Sequence, residues 1–185
     1  MYIETERLII RSMELSDESA FIAMASDGSL DEDIFGGWVD RYGEYQIWMK
    51  DYIEEVIRLD KRNNPKADYL AYVIEDKAQG IPVGSVGCSY YDESGEMGMV
   101  YFVGSKYRGK GYAAEAAAAY AKYFLEQYDV PYMVNNIRAE NVASWKVAEK
   151  AGFVLVETKM FRDIFDEEEN LYRFYEMRKD DVCVK

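Results

Sequence analysis

Tyr101-Phe-Val-Gly-Ser-Lys-Tyr-Arg-Gly-Lys-Gly-Tyr-Ala-Ala-Glu-Ala116 is the stretch of sequence that decides the fold. The residues that lead into it, Met99–Val103, are apolar, aromatic and β-branched, as a buried strand requires. From Ala114 the small and apolar residues recur at positions 114, 117, 118, 121, 124, 125 and 128, and this period of about 3.6 predicts an α-helix. The stretch therefore predicts a strand, a basic glycine-rich turn and a helix, in that order.

The turn has the features of a site for a phosphate group. Gly109 and Gly111 carry no Cβ, so an anion can approach the bare backbone N–H groups closely. The first N–H groups of a helix have no partner inside the helix and lie at the positive end of its dipole. Arg108 and Lys110 add full positive charges in a chain whose formal net charge is -13. We therefore interpret the turn as a phosphate cradle.

Two common phosphate motifs fit the turn poorly. Gly104 to Lys110 has the glycine and lysine spacing of a P-loop, but Gly111 follows where the motif needs a hydroxyl to bind magnesium. Gly109-Lys-Gly111-Tyr-Ala-Ala114 also fits a loose dinucleotide fingerprint, yet no acidic residue closes a second strand about 20 residues later. A nucleotide-binding oxidoreductase therefore remains an alternative function that depends only on this loose glycine pattern.

A third pattern, Arg-x-x-Gly-x-Ala, is filled by Arg108, Gly111 and Ala113. It resembles the acetyl-CoA pyrophosphate loop of the GNAT superfamily of N-acetyltransferases. Downstream, the segment from Asn141 to Phe153 is similar to the Asn-x-x-Ser helix of that superfamily, which ends in Lys-x-Gly-Phe. Upstream, the segment from Glu4 to Arg11 resembles the opening strand of its ribosomal-protein (RimJ/RimL-like) branch. The three motifs occur in the family's order and span nearly the whole chain.

The resemblance implies a mixed α/β GNAT-like fold over residues 1–185 as one acetyltransferase domain. Its sheet is mostly antiparallel, with about seven strands, a splayed parallel pair in the middle and about four flanking helices. The hydrophobic periodicity, the turn residues and the helix-capping residues predict the same order of strands and helices. The predicted strands are Ile3–Arg11, Tyr69–Glu75, Pro82–Tyr91, Glu96–Val103, Met133–Ala139, Phe153–Met160 and Leu171–Arg178. The first predicted helix is capped by Ser16 and reaches Ala25, and a long loop at Asp27–Tyr45 follows it. The other predicted helices are Gln46–Lys61, the helix from Ala114, and Asn141–Ala151.

Composition excludes several classes of function. The sequence has no histidine, which removes serine–histidine and cysteine–histidine catalysis and the commonest metal ligand, so we expect no metal. Its cysteines, Cys88 and Cys183, lie far apart and predict neither a zinc site nor a disulfide framework, as in a reducing cytoplasm. Acidic residues number 35 against 22 basic ones, which disfavours nucleic acid as a partner. Neither a signal peptide nor a membrane-spanning apolar run is recognisable in the sequence.

The resemblance also implies where acetyl-CoA binds. In the family the fourth strand is bulged and splays from the fifth, and the pantetheine arm bonds to the exposed backbone between them. Here that backbone belongs to Tyr101, Phe102 and Val103, and Asn141 holds the pantetheine across the gap with support from Ser144. An equal alternative for Asn141 is that it caps its own helix. The pyrophosphate is expected to meet the cradle residues Arg108, Gly109, Lys110, Gly111, Tyr112 and Ala113.

The implied reaction is direct attack of a primary amine on the acetyl thioester in a ternary complex. Glu96 is the candidate proton acceptor, although the family's RimJ/RimL-like members often place a glutamate at the position of Gly98. Many members also have a tyrosine that reprotonates the thiolate, and Ala148 stands at that position. Tyr101, Tyr107, Ser144 or water could replace it, because a thiol has a pKa of about 8.5 and leaves readily.

The acceptor is the least defined part of the prediction. The segments that form the acceptor site in the family are acidic here, which favours a cationic amine such as a protein N-terminus or a polyamine. The alternative function is a non-catalytic acetyl-CoA or CoA-binding sensory domain of the same fold. We expect a monomer or a homodimer that binds neither nucleic acid nor a membrane. The acidic residues in these segments are Asp31, Glu32, Asp33, Asp40, Asp163, Asp166, Glu167, Glu168 and Glu169.

Overall fold

A computed structural model describes residues 1–27, 43–91, 94–163 and 166–182. Its elements lie within about two residues of most of the predicted boundaries, the usual uncertainty of helix and strand ends. The strands are β1 (Tyr2–Glu4), β2 (Leu8–Arg11), β3 (Leu70–Asp76), β4 (Ile81–Tyr91), β5 (Glu96–Val103), β6 (Tyr132–Arg138), β7 (Val154–Phe161) and β8 (Asn170–Arg178). The helices are α1 (Glu18–Ala25), α2 (Tyr45–Arg62), α3 (Tyr112–Gln127), α4 (Val142–Ala151) and a final single turn, α5 (Lys179–Val182).

In the described residues the strands form one eight-stranded sheet, in the order β1-β2-β3-β4-β5-β6-β8-β7. Only β5 and β6 are parallel, since the chain between them crosses over through α3. All other neighbouring strands run antiparallel. The predicted mixed, mostly antiparallel sheet with a parallel pair in the middle is confirmed.

The amino-terminal segment differs from the prediction of one strand at Ile3–Arg11. It forms a tight hairpin, β1–β2, in which the Thr5 backbone N–H donates to the Leu8 carbonyl at 2.9 Å. The Leu8 N–H in turn donates to the Thr5 hydroxyl at 2.9 Å. This side-chain bond stabilises a turn that carries no glycine or asparagine, and the additional strand raises the count from about seven to eight.

The start of α1 also differs from the prediction, because Ser16 is not its cap. A 3-10 turn at Leu15–Asp17 precedes the helix, and the Ser16 hydroxyl donates to the Glu14 carboxylate at 3.3 Å. The Asp17 carboxylate accepts the Glu14 N–H at 2.8 Å and two bonds from the Arg11 guanidinium. The predicted loop Asp27–Tyr45 lies mostly outside the described residues, which resume at position 43.

Each face of the sheet is covered by its own apolar cluster. The larger cluster packs α3 and α4 against residues such as Met99 and Met133, and Tyr120 and Phe124 of α3 are fully buried in it. The other cluster packs α1 and α2 against the opposite face and includes Phe102. None of the described helices combines the length and the hydropathy needed to cross a membrane. Since successive residues of a strand face opposite sides, Tyr101 and Phe102 belong to different layers.

The bulge that the resemblance implies on β5 is not observed. The register between β4 and β5 runs without interruption from the pair Gly84–Val103 to the pair Tyr91–Glu96. Register shifts occur instead between β3 and β4, where the pairing beside Ile74 and Glu75 skips Val83 of β4, and between β7 and β8, where it skips Val156 of β7. The gap in the middle of the sheet therefore does not depend on a bulge in β5.

Candidate active site

The ladder between β5 and β6 closes at one point only. These parallel strands pair through Gly98 and Val134, near their amino-terminal ends, and the ladder does not continue toward Val103 and Arg138. Beyond this pair, the edge of β5 that faces β6 pairs with no strand in the part of the chain that the structure describes. The result is a gap in the sheet beside Tyr101, Phe102 and Val103, next to the start of α3.

The phosphate cradle, residues 108–113, leads from this gap into α3. Gly109 and Gly111 have φ angles of +76° and +82°, which residues with a side chain adopt only with strain. Gly111 is the residue that precedes the first turn of α3, so the orphan N–H groups of the helix begin directly after it. The Arg108 guanidinium donates to the Val103 carbonyl at 3.2 Å and thus lies at the mouth of the gap.

The structure adds two cations that sequence reasoning did not assign to the site. A Cβ built on Gly111 would lie 3.2 Å from Lys150 Nζ and 3.4 Å from Arg7 Nη2. Lys150 comes from α4, where it belongs to the Lys-x-Gly-Phe pattern, and Arg7 comes from the turn of the amino-terminal hairpin. The space in front of α3 is therefore bordered by positive charge from three distant segments.

Glu115 orients Arg7. Its carboxylate accepts the Thr5 hydroxyl at 2.6 Å, the Arg7 N–H at 2.9 Å and the Arg7 Nε–H at 2.7 Å. Burial alone would raise the pKa of Glu115, but these hydrogen bonds and the Arg7 charge outweigh it and lower the pKa. The guanidinium also donates to the Lys110 carbonyl at 2.8 Å, which fixes the cradle backbone. Glu115 thus holds Arg7 beside Gly111 while leaving the cradle with a net positive charge.

The side chain of Tyr101 connects both sides of the gap on the α3–α4 face of the sheet. Its hydroxyl donates to the Ser144 carbonyl at 2.9 Å and lies 3.0 Å from the Ser144 hydroxyl. Asn135 of β6 donates to the same Tyr101 oxygen at 3.3 Å. Burial raises the pKa of Tyr101, so the phenol keeps its proton at neutral pH. Sequence analysis had named Tyr101 and Ser144 separately, and the structure brings them into contact.

Asn141 lies at the start of α4 and caps it. Its side-chain oxygen accepts the Ser144 N–H at 3.0 Å, which is the alternative role that the sequence left open. The cap occupies Oδ1, while the amide Nδ2 is a separate donor. The position of Ser144 is therefore fixed by Asn141 on one side and by Tyr101 on the other.

Glu96 lies on the opposite face from Tyr101. It begins β5, two residues before the closing pair at Gly98, and it accepts the Tyr132 hydroxyl at 3.3 Å. The ring of Tyr91 lies directly over Gly98 on that face, so that a Cβ at Gly98 would overlap it. Burial, with the nearby charge of Asp163 next, raises the pKa of Tyr91 to about 12. The Tyr91 phenol therefore remains protonated at neutral pH.

Only some of the carboxylates in the acidic segment between β7 and β8 are exposed to solvent. Asp166 is buried, bonded to the Arg138 guanidinium, and accepts the Tyr172 hydroxyl at 2.8 Å. Burial alone would raise its pKa, but the bonds from Tyr172 and Arg138 outweigh it and lower the pKa. Glu167, Glu168 and Glu169 are exposed, while Asp31, Glu32, Asp33 and Asp40 lie outside the described residues.

Comparison with known families identifies the fold. The family model described as "Acetyltransferase (GNAT) domain" matches residues 7–154, which include the cradle, the gap and α4. The chain belongs to the GNAT acetyltransferase family. As a GNAT N-acetyltransferase it is an acyltransferase, and acetyl-CoA is the acetyl donor of this family.

Relatives of this GNAT chain agree with the assignment. The "Uncharacterized N-acetyltransferase YnaD" of Bacillus subtilis (strain 168) is 25% identical over 154 residues, covering 82% of each chain. A GNAT-family acetyltransferase structure from Bacillus anthracis has a TM-score of 0.74 at 21% identity, covering 97% of this chain and 99% of the other. RimL, a ribosomal L7/L12 alpha-N-protein acetyltransferase solved with coenzyme A, has a TM-score of 0.74 at 16% identity, with coverages of 97% and 99%.

The GNAT chain departs from the implied pattern at two positions, and the structure shows what fills each. Ala148, at the place of the expected tyrosine, is fully buried, and the Tyr101 hydroxyl reaches α4 one helical turn earlier, at Ser144. At Gly98 the Tyr91 ring occupies the space that a glutamate side chain would need. Neither position therefore carries the side chain that the resemblance implies, and at Gly98 the Tyr91 ring leaves no space for one.

Proposed function

We propose that residues 1–185 form one acetyltransferase domain, which transfers the acetyl group of acetyl-CoA to a primary amine by direct attack in a ternary complex. The observation that carries the proposal is the gap between β5 and β6, which opens directly onto the cationic cradle at Gly111. A donor with a diphosphate and a long neutral arm fits this arrangement of charge and unpaired strand edge. Bound acetyl-CoA supplies an acyl group activated as a thioester.

The cradle residues hold the diphosphate. The first N–H groups of α3 point out of the helix, and Arg108, Lys110, Lys150 and Arg7 add charge around them. The absence of a Cβ at Gly111 keeps this space open. The backbone of Phe102 and Val103 is proposed to bind the pantetheine arm along the gap, together with the Nδ2 of Asn141. Gly109, Tyr112 and Ala113 complete the loop around the diphosphate.

Tyr101 is proposed to give its proton to the leaving thiolate. The raised pKa of its phenol means that the proton is present at neutral pH. Once the proton has left, the Asn135 amide and the Ser144 hydroxyl are placed to donate to the phenolate oxygen. Since a thiol has a pKa of about 8.5, this assistance is helpful without being essential.

Glu96 is proposed to accept the proton of the attacking amine. An ammonium has no lone pair, so the amine must lose a proton before it can react. Because Glu96 lies before the closed end of the gap, we propose that an ordered water carries the proton to it. The acid and the base then act from opposite faces of the sheet, with Tyr101 beside the gap and Glu96 beyond its closed end.

The acceptor is proposed to be cationic, either a protein N-terminus or a small amine such as a polyamine. The exposed run Glu167–Glu169 and the overall charge of -13 support this class. The buried Cys88 thiol, which pairs with no other cysteine among the described residues, is consistent with a proposed location in the cytoplasm.

A calorimetric titration with acetyl-CoA, with NADH as the control ligand, tests the donor assignment. Gly111→Glu should abolish acetyl-CoA binding, because the new carboxylate would occupy the space beside Lys150 and Arg7. Gly95→Glu is the matched control, since Gly95 also has a positive φ of +70° but lies in the β4–β5 turn. Binding of NADH in place of acetyl-CoA, or of neither ligand, would overturn the proposal.

An amine panel, with release of free thiol as the signal, then separates an enzyme from a sensory domain. This test is needed because Ala148 and Gly98 stand where related sequences often have a tyrosine and a glutamate, and the loss of these side chains favours the non-catalytic alternative. Turnover of any amine supports the enzyme, whereas tight binding of acetyl-CoA without thiol release across the panel would support the sensory domain.

A further inference from the structure

The ring of Tyr91 occupies the space that a side chain at Gly98 would fill. The two residues lie on neighbouring strands, β4 and β5, where Tyr91 pairs with Glu96 and Ser89 pairs with Gly98. Diagonal neighbours of this kind are within reach of an aromatic side chain. A Cβ built on Gly98 would overlap the tip of the Tyr91 ring, at Cζ, Oη and Cε2. The tip of the ring therefore lies at the residue where β5 pairs with β6.

Gly98 marks the closed end of the gap. Five residues of strand separate it from Val103 at the mouth, a distance of roughly 16 Å at about 3.3 Å per residue. A donor whose diphosphate lies in the cradle would place its arm along this length, with the thioester end toward Gly98. On β5, Gly98 also lies between the proposed acid Tyr101 and the proposed base Glu96. The acyl group of the donor therefore belongs close to Gly98.

At this point the face of the sheet that carries Gly98 is the more open one. On the other face, Met99 and Met133 are buried in the cluster under α3 and α4, with exposed fractions of 4% and 0%. Val100 shares a face with Gly98 and is partly exposed, as is Tyr91. An acyl group that leaves the plane of the sheet on this face meets the tip of the Tyr91 ring.

We propose that Tyr91 sets the length of the acyl group that the donor site accepts, because its ring tip closes the space beyond an acetyl group. The proposal rests on the proposed use of acetyl-CoA. Gly98 is paired with Ser89 on one side and with Val134 on the other, so the strands cannot move apart to admit a longer chain without loss of pairing. Forcing extra methylene groups into a closely packed site displaces side chains and backbone, which is destabilising.

Calorimetric titration with CoA, acetyl-CoA, propionyl-CoA and butyryl-CoA tests the proposal through binding alone, without an acceptor amine. CoA carries no acyl group and is the reference for the cradle and the gap. The wild-type protein should bind butyryl-CoA at least about tenfold more weakly than acetyl-CoA, the lower end of what one methylene group contributes in a closed pocket. Tyr91→Ala should bring the two affinities together.

Tyr90→Ala is the matched control, because the adjacent ring packs on the other face, against the cluster under α3 and α4. It should leave the discrimination as it is in the wild type. The double variant with Tyr91→Ala and Gly98→Leu refills the same space from β5 and should restore the discrimination. The affinity of each variant for CoA shows whether its fold is intact. If Tyr91→Ala does not fold, Tyr91→Leu shortens the side chain, keeps its apolar packing and gives the same measurement.

Three results would overturn the proposal. They are equal binding of acetyl-CoA and butyryl-CoA by the wild type, continued rejection of butyryl-CoA by a Tyr91→Ala variant that binds CoA normally, and a double variant that binds CoA but does not discriminate. A wild-type protein that binds neither CoA nor any acyl-CoA would instead overturn the donor assignment, and the role of Tyr91 with it.

Discussion

The hydroxyl of Tyr101 lies 3.0 Å from the hydroxyl of Ser144, across the point where the central sheet opens. Ser144 is held by the Asn141 cap, and Asn135 donates to the Tyr101 oxygen from β6. Four side chains from β5, β6 and the start of α4 therefore fix one phenol proton beside the proposed thioester position.

Tyr101→Phe should lower kcat by about tenfold to a hundredfold, at or below the low end of the range for general acid catalysis, because the thiolate leaves with little help. The affinity for acetyl-CoA should be almost unchanged. Tyr107→Phe removes the other phenol that the sequence offers as an acid and should leave kcat unchanged, because Tyr107 lies in the 3-10 turn before the cradle. A loss of turnover above about a thousandfold with intact donor binding would show that this phenol is indispensable, contrary to our expectation.

Lys150→Ala should weaken acetyl-CoA binding by about tenfold or more, as expected when a hydrogen bond to a charged group is lost. Lys146→Ala on the same helix is the matched control, because its ammonium lies over the Trp145 ring instead of beside Gly111. Calorimetry at two salt concentrations measures both. Equal effects of the two variants would remove Lys150 from the cradle.

Glu96→Gln should lower kcat/KM for the amine by about tenfold to a hundredfold at neutral pH, while leaving acetyl-CoA affinity unchanged. The rate of the variant should recover as pH rises toward the pKa of the amine, because a neutral amine needs no proton acceptor. Glu126→Gln, on the exposed face of α3, is the control. A variant that is equally impaired at all pH values would indicate a structural role for Glu96.

The KM of a cationic acceptor should rise steeply with ionic strength, because exposed charges are screened over about 8–10 Å at physiological salt. A neutral amine assayed in parallel gives the baseline. Replacing Glu167, Glu168 and Glu169 by glutamine should flatten the salt dependence for the cationic acceptor. If KM is the same across the salt series, the acidic segment does not recruit substrate.

Asp166→Asn should destabilise the fold at neutral pH by about 1–3 kcal/mol, the cost of losing hydrogen bonds to a charged group. The folded state lowers the pKa of Asp166, so its stabilising effect is present above the unfolded pKa of about 3.9 and is lost as pH falls through the folded value. The difference in unfolding free energy between wild type and variant should therefore narrow in acid. Denaturant titrations from pH 7 downward measure it, and a constant difference would contradict the assignment.

Local sequence patterns predicted most of the fold. The period of α3, the extent of α4 and the strands β3, β4 and β5 are all encoded within short windows, and the structure confirms them. The amino-terminal hairpin was missed because its turn is stabilised by the Thr5 side chain rather than by glycine or asparagine. Turn geometry of this kind leaves little trace in the pattern of hydrophobic residues.

The sequence predicted the part of the site whose residues are contiguous. It missed residues that reach the site from separate elements. The cradle from Arg108 to Ala113 is one segment, so its chemistry could be read directly. Arg7 and Lys150 reach Gly111 from other elements, and no local pattern indicates that they meet there. Likewise, Tyr91 covers Gly98 because of the register in which β4 pairs with β5, and the sequence alone does not specify that register.

The meeting of Arg7 and Lys150 at Gly111 also bears on how the protein matures during translation. Arg7 and Lys150 lie far apart in the sequence, so the cradle is complete only after the segments that carry them have both been synthesised and have folded together. A ligand that binds the complete cradle would stabilise only those molecules in which these two segments have already docked. The donor would therefore act late in folding and would not stabilise a chain that still lacks Lys150.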